Sequence, residues 1–219
     1  MNVVILGAGV FGTSIANELS FNRDNDVVLF SRNQKKVSEI NNLHTNNVCF
    51  PNKHLNERLN ASSDKNVLRG SDVVLLALPS SAIISVLLEL KPYFNKRALF
   101  INLSKGISPG GITIVEGVKS ALNTNQVVTL KGPSFAVEIM ERSETLLTLG
   151  YTSKKQSDLV QKIVSNTSLY LDFSTDIKGV ELLSVIKNIY ALFIGIVDAK
   201  FPEEGNMLPI DYIGQLSDL

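Results

Sequence analysis

Asn2-Val-Val-Ile-Leu-Gly-Ala-Gly-Val-Phe-Gly-Thr-Ser-Ile-Ala-Asn-Glu-Leu19 is the stretch on which the fold turns. Its opening is a short apolar, β-branched run of the kind found in buried parallel strands. The run feeds directly into Gly7-Ala-Gly-Val-Phe-Gly12, and the residues after it are good helix formers. Gly7 allows a tight turn, Gly9 lets backbone approach a pyrophosphate, and Gly12 permits close packing of helix on strand. The anion then rests on the helix N-terminus. Three glycines at this spacing say little alone. A strand before them and a helix after them is the context that makes them a dinucleotide-binding fingerprint.

Outward from that unit, strand and helix signals alternate. Asp26-Val-Val-Leu-Phe-Ser31 reads as the second strand. An acidic residue about 20 positions beyond the glycines would take a ribose 2′-hydroxyl. The sequence has Ser31, Arg32 and Asn33 there. An arginine suits a 2′-phosphate, so the expected cofactor is NADPH or NADH, with a lean to NADP(H). Residues 41–63 are polar and asparagine-rich, and read as an irregular excursion longer than ordinary connections. Further strands follow at Asp72-Val-Val-Leu-Leu-Ala-Leu-Pro79, Ala98-Leu-Phe-Ile-Asn-Leu103, Val127-Val-Thr-Leu130, Leu146-Leu-Thr-Leu-Gly150 and Ser168-Leu-Tyr-Leu-Asp-Phe173. Helices are expected over 81–90 and 153–165. This is the pattern of a doubly wound, Rossmann-type α/β domain spanning residues 1–176.

Such sheets bind ligands at the carboxyl ends of their strands. Lys105, in Ser104-Lys-Gly106, falls at one such end and is placed to meet a phosphate or a carbonyl. Lys131-Gly-Pro-Ser-Phe-Ala136 falls at another. Gly132 and Pro133 force a turn there, and Ser134 is expected to cap the helix that Phe135 begins.

Beyond Asp176-Ile-Lys-Gly179 the character changes. Residues 179–198 read as one long helix, apolar on several sides. Its exceptions, Ser184, Lys187, Asn188, Ala191, Gly195 and Asp198, recur at three- and four-residue steps, with Lys187 and Asn188 adjacent, and form one stripe. A lysine in apolar surroundings loses part of its charge preference to desolvation, which moves its pKa toward the range useful in acid–base work.

The chain has 219 residues, 44% of them hydrophobic, and formal net charge zero, so nothing electrostatic points to nucleic acid or an anionic membrane. Cys49 is the one cysteine, which excludes a disulfide framework or a cysteine-built metal site within one chain. No metal site is expected. His44 and His54 read as surface residues. The absence of a basic leader and of an uninterrupted apolar span leads to the expectation of a cytoplasmic location with no membrane partner.

Several separate segments now agree. The chain resembles the bacterial-type NAD(P)-dependent glycerol-3-phosphate dehydrogenases from Met1 to about Asp198. The markers are Gly7-Ala-Gly-Val-Phe-Gly-Thr13, Phe30-Ser-Arg-Asn33, Leu76-Ala-Leu-Pro-Ser80, Ser104-Lys-Gly106, Lys131-Gly-Pro-Ser-Phe-Ala136, and Gly179-Val-Glu-Leu182 with Lys187-Asn188. The resemblance implies interconversion of dihydroxyacetone phosphate and sn-glycerol 3-phosphate, the backbone precursor of phospholipids. It implies cofactor contacts from Gly7, Gly9, Val10, Phe11, Gly12, Arg32, Lys105 and Ala136. Substrate contacts would come from Lys105, Gly132, Ser134 and Lys187. Lys187 would be the acid–base residue, with Asn188 placing it.

Family members continue for roughly another hundred residues of helical substrate domain, about one ordinary domain's worth. The sequence ends at Leu219 and lacks the family's Ser-Arg-Asn phosphate clamp, so residues 177–219 are expected to be a shortened, all-α remnant of that domain. Ile213-Gly-Gln-Leu-Ser-Asp-Leu219 echoes a family segment, which makes Asp218 a candidate for its substrate-site aspartate. The apolar face of the long helix would then be covered by a homodimer mate or left exposed. Two other readings stand beside an active dehydrogenase. One is a non-catalytic, truncated dinucleotide-binding remnant. The other is a β-hydroxyacid or ketopantoate-type reductase, against which the Gly-Pro-Ser-Phe-Ala run argues.

Overall fold

Neighbouring residues of the first strand serve two different cores. Val3 and Ile5 pack into one hydrophobic cluster, Val4 and Leu6 into the other, as the two-residue period of a strand buried on both faces requires. The computed structural model describes residues 1–108 and 110–200, with 187–189, 191 and 197–200 described by backbone alone. Its eight strands are β1 (Asn2–Leu6), β2 (Asp26–Phe30), β3 (Asn60–Ser62), β4 (Val73–Leu76), β5 (Leu99–Asn102), β6 (Val127–Lys131), β7 (Thr145–Gly150) and β8 (Leu169–Ser174). They form one sheet in the order β3-β2-β1-β4-β5-β6-β7-β8. The helices are α1 (Val10–Leu19), α2 (Gln34–Leu43), α3 (Ser80–Leu90), α4 (Ile114–Leu122), α5 (Ala136–Met140), α6 (Lys154–Val164) and α7 (Ile177–Lys200).

The Rossmann-type α/β architecture expected from the sequence is present. Strands β1 to β6 are parallel, and the order reverses between β1 and β4, which opens a crevice at their carboxyl ends. β7 pairs antiparallel with β6, and β8 runs parallel to β7. β8 therefore ends with Ser174 level with Gly150, itself opposite Thr129 and so level with Asn102, Leu76 and Leu6, the last residues of β5, β4 and β1. α7 starts there, because a Cβ on Gly150 would stand 3.1 Å from Ile177 Cα. The Asp176 carboxylate accepts from Gly179 N at 2.8 Å and so caps the new helix.

The excursion expected over 41–63 is shorter than its composition suggests. α2 runs to Leu43 and β3 occupies 60–62, leaving 44–59 irregular. Its asparagines do the work of a backbone ladder. Asn46 Nδ2 donates to Thr13 Oγ1 at 2.9 Å, and Asn56 N donates to Asn17 Oδ1 at 2.7 Å. Among the described residues no helix is long and apolar enough to cross a membrane.

The turn between β1 and α1 is the tightest joint. Gly7 has φ +113°, and a Cβ there would stand 2.4 Å from Ala77 O. A Cβ on Gly12 would stand 1.9 Å from Gly7 O. Gly9 differs: an added Cβ meets nothing within 4 Å. Gly12→Ala is therefore expected to cost about 1–3 kcal/mol through backbone displacement, visible as a drop of several degrees in Tm. Gly9→Ala should melt within about 1 kcal/mol of the parent. Equal melting of the two variants would contradict this division of labour.

Candidate functional site

The N-terminus of α1 has Gly9 as its cap residue, no side-chain cap and no acid in its first turn. Its first amides thus lack the usual side-chain acceptor. The space beside Gly9 is open, an added Cβ meeting nothing within 4 Å, which leaves these amides room for an anion such as a pyrophosphate. From α2, the Lys36 ammonium donates to Ala8 O at 2.7 Å and holds the loop from behind.

This turn forms one wall of a cleft of about 450 Å³ at the carboxyl edge of the sheet. Gly9, Val10, Phe11 and Gly12 lie on one side, Ala77 to Ser80 follow β4, and Leu103 to Lys105 follow β5. Leu130 to Gly132 and Ser134 close the far side. A second cavity of about 220 Å³ shares Lys105, Lys131 and Gly132 with the cleft and continues to Thr148, Val180, Leu183 and Ser184. A third pocket, about 310 Å³, opens at the end of β2 around Gly7, Ser31, Arg32 and Asn33.

The ends of β5 and β6 are joined by a buried ionic network. Glu181, on α7, is 2% exposed. Its carboxylate accepts from Thr129 Oγ1 at 3.0 Å, from Val115 N at 2.9 Å and from Asn102 Nδ2. Lys131 Nζ lies 3.9 Å from the same carboxylate and donates to Asn102 O at 3.4 Å and to Ser104 O. Ser104 Oγ in turn donates to Leu76 O at 3.1 Å and to Leu78 O. Burial pushes the Lys131 ammonium down from 10.5 to about 8; the Glu181 charge opposes that fall, and the Lys105 charge adds to it.

The structure brings most of the sequence-selected residues together. Gly9, Val10, Phe11, Gly12, Lys105, Gly132 and Ser134 all line the main cleft, whereas Gly7 and Arg32 line the pocket beside it. Ala136 is not among the lining residues; it begins α5 and packs, partly buried, against the core. Lys187 and Asn188 lie on α7, one turn beyond Leu183 and Ser184, and their side chains fall outside the described residues, as does the whole of Asp218. Ser134 does not cap the following helix. Phe135 is the cap residue of α5, without a side-chain bond, and the Ser134 hydroxyl folds back toward Gly132 O at 3.5 Å. The turn that Pro133 imposes leaves the hydroxyl on the cleft side. Lys131 and Glu181 carried no assigned role in the sequence. Their signal was a lone charge at the end of a buried strand and a lone acid in an apolar helix, and only the fold reveals that they meet.

The family profile described as NAD-dependent glycerol-3-phosphate dehydrogenase N-terminus matches residues 2–157. Glycerol-3-phosphate dehydrogenase [NAD(P)+] of Bacillus subtilis is 34% identical over 201 residues, covering 90% of this chain and 58% of its own length. The enzyme of the same name from Neorickettsia sennetsu is 30% identical over 198 residues, with 90% and 59% covered. The crystal structure of glycerol-3-phosphate dehydrogenase from Coxiella burnetii superposes with a TM-score of 0.81 at 28% identity, covering 90% of this chain and 61% of that one. The chain thus spans about three fifths of the length of the curated relatives it matches.

Lys131→Met would strand Glu181 in the interior, and at neutral pH is expected to cost about 3–5 kcal/mol, as breaking a buried pair does. The pH dependence has a definite sign. Between about pH 8 and 10.5 the unfolded chain keeps the proton that folded Lys131 has lost, so this residue's contribution to stability rises with pH. Urea unfolding across that interval should show the rise in the parent protein and lose it in Lys131→Met. Parallel pH profiles for the two proteins would contradict the burial of this ammonium.

Proposed function

Because the chain belongs to the NAD-dependent glycerol-3-phosphate dehydrogenase family, we propose that it binds NAD(P)H in the crevice between β1 and β4 and interconverts dihydroxyacetone phosphate and sn-glycerol 3-phosphate. One observation carries this reading. The glycine-turn cradle and the Lys105, Gly132 and Ser134 edge line a single cleft, so a dinucleotide and a small phosphorylated carbonyl compound would meet there. The nicotinamide, when bound, supplies or accepts the hydride.

The protein's own groups do the rest. The amides at the start of α1 hold the pyrophosphate, Val10 and Phe11 flank it, and Arg32 takes the adenosine end. Lys105 brings positive charge to the part of the cleft nearest the strand ends. Gly132 and Ser134 present backbone and hydroxyl to the substrate. Lys187 would be the proton donor to the developing alkoxide at C2, and in its neutral form the acceptor of the hydroxyl proton in the reverse direction. Asn188 would place it. Residues 1–176 then form the dinucleotide-binding part, and residues 177–219 belong to the substrate-binding part, with Asp218 a candidate contact. The product is the phosphorylated glycerol on which glycerophospholipids are built. A single half-buried cysteine, Cys49, suits a reducing cytoplasmic setting.

The direct test follows NADPH absorbance with dihydroxyacetone phosphate for the 219-residue chain. Lys187→Ala is expected to lower kcat by about 10²–10⁴, the usual share of a general acid. Lys105→Met should raise KM and lower kcat together. Cofactor binding without turnover in the parent chain would instead identify a binding-only protein, and turnover that survives in Lys187→Ala would remove that lysine from the mechanism.

A further inference from the structure

The pocket at the end of β2 contains more than Arg32. Lys65, which opens the 3₁₀ helix Lys65–Gly70 after β3, and Glu89, in the last turn of α3, also line it. Their side chains meet at 2.7 Å. Lys65 Nζ further lies 5.7 Å from the centre of the Tyr93 ring, which steadies it from outside the pocket. One wall thus comes from the β2 turn and the other from two elements about 30 and 60 residues further on, brought beside it by the sheet order. The hydrogen bond between them raises the pKa of Lys65 and lowers that of Glu89, and Arg32 is close enough to act on both.

Two recognition devices that normally belong to different proteins share this pocket. An acid beside the ribose accepts from a 2′-hydroxyl, and a basic residue accommodates a 2′-phosphate. Here Glu89 is the acid and Arg32 and Lys65 are the bases. A 2′-phosphate brings close to two negative charges into a pocket whose side chains sum to one positive charge, because Glu89 already occupies Lys65.

We propose that Lys65 and Glu89 determine, with Arg32, the choice between NADH and NADPH: Lys65 is a second cation for the 2′-phosphate, and Glu89 competes with that phosphate for it. The inference rests on the dinucleotide reading above. With NADH the Lys65–Glu89 pair stays closed and the carboxylate remains available to the 2′-hydroxyl. With NADPH the ammonium turns from carboxylate to phosphate, so part of the attraction is lost in separating the pair. The protein is then one that accepts both cofactors, and its preference can be moved in either direction by a single substitution outside the glycine turn, at Glu89 one way and at Lys65 the other.

The test measures binding rather than turnover. NADH and NADPH are titrated by nicotinamide fluorescence into the parent chain, Lys65→Gln and Glu89→Gln, with adenosine 2′,5′-bisphosphate and 5′-AMP as probes of the adenosine end alone. Glu89→Gln is expected to raise the NADPH-to-NADH affinity ratio about tenfold and Lys65→Gln to lower it about tenfold, the scale of one charge-assisted hydrogen bond. The bisphosphate-to-monophosphate ratio should move with it, and both shifts should shrink at high salt. Thermal melting of each variant separates a lost contact from a lost fold. Ratios within about twofold of the parent in both variants, with both cofactors bound, would overturn the inference and leave the dinucleotide reading standing. A parent chain that binds neither cofactor would overturn the two together.

Discussion

The carboxylate of Glu181 is the point at which the sheet, the helix beside it and the long helix above them are tied together. It takes hydrogen bonds from β5 through Asn102, from β6 through Thr129 and from the start of α4 through Val115 N. A buried carboxylate is costly unless its lone pairs are filled, and these are filled by three separate segments. Lys131 supplies the countercharge and spends its remaining protons on the carbonyls of Asn102 and Ser104. The loop that carries Lys105 and the turn that carries Gly132 and Ser134 are therefore positioned by the same interior network. Gly179 belongs to the same arrangement, since a Cβ there would stand 2.2 Å from the Asp176 carboxylate that caps α7.

Charge is distributed differently in the cleft wall and in the pocket beside it. Behind the Lys105 edge, Lys131 and Glu181 are sealed in, with side chains 6% and 3% exposed, and they hold backbone. In the pocket at the end of β2, Lys65 and Glu89 are 36% and 48% exposed, and the pair can exchange partners at little cost in fold stability. One ion pair is part of the scaffold, and the other stands open to solvent on a pocket wall.

What was legible in the sequence follows the range of the interactions that determine each feature. The β1–α1 turn could be read because its glycine spacing, the strand before it and the helix after it lie in one short stretch, within which Gly12 answers to Gly7. The β-branched strands could be read because each is buried on both faces. β3 could not, being three residues held by pairing with β2 on one side and by the Asn41 side chain at Ala61 on the other. α4 left a local sign in Thr113-Ile-Val-Glu116, a capping box whose two reciprocal bonds are present, Glu116 N to Thr113 Oγ1 at 3.2 Å and Thr113 N to Glu116 Oε2 at 2.9 Å. Lys105, Gly132 and Ser134 were found through the strand-end rule, which needs only the strand. The meeting of Lys131 with Glu181, and of Lys65 with Glu89 beside Arg32, depends on strand order and could not be extracted from spacing.

Strand direction was equally hidden, and it sets the course of α7. A helix that follows a parallel strand starts at the ligand edge and descends along the sheet. Because β7 and β8 are reversed, α7 starts beside Gly150, already level with the last residues of β5, β4 and β1, meets Thr129 at Glu181, and reaches the Lys105, Lys131 and Gly132 edge at Leu183 and Ser184. It travels upward, with the parallel strands rather than against them. The inverted strand pair thus directs the helix on past the strand ends, where an ordinary crossover helix would turn back down along the sheet.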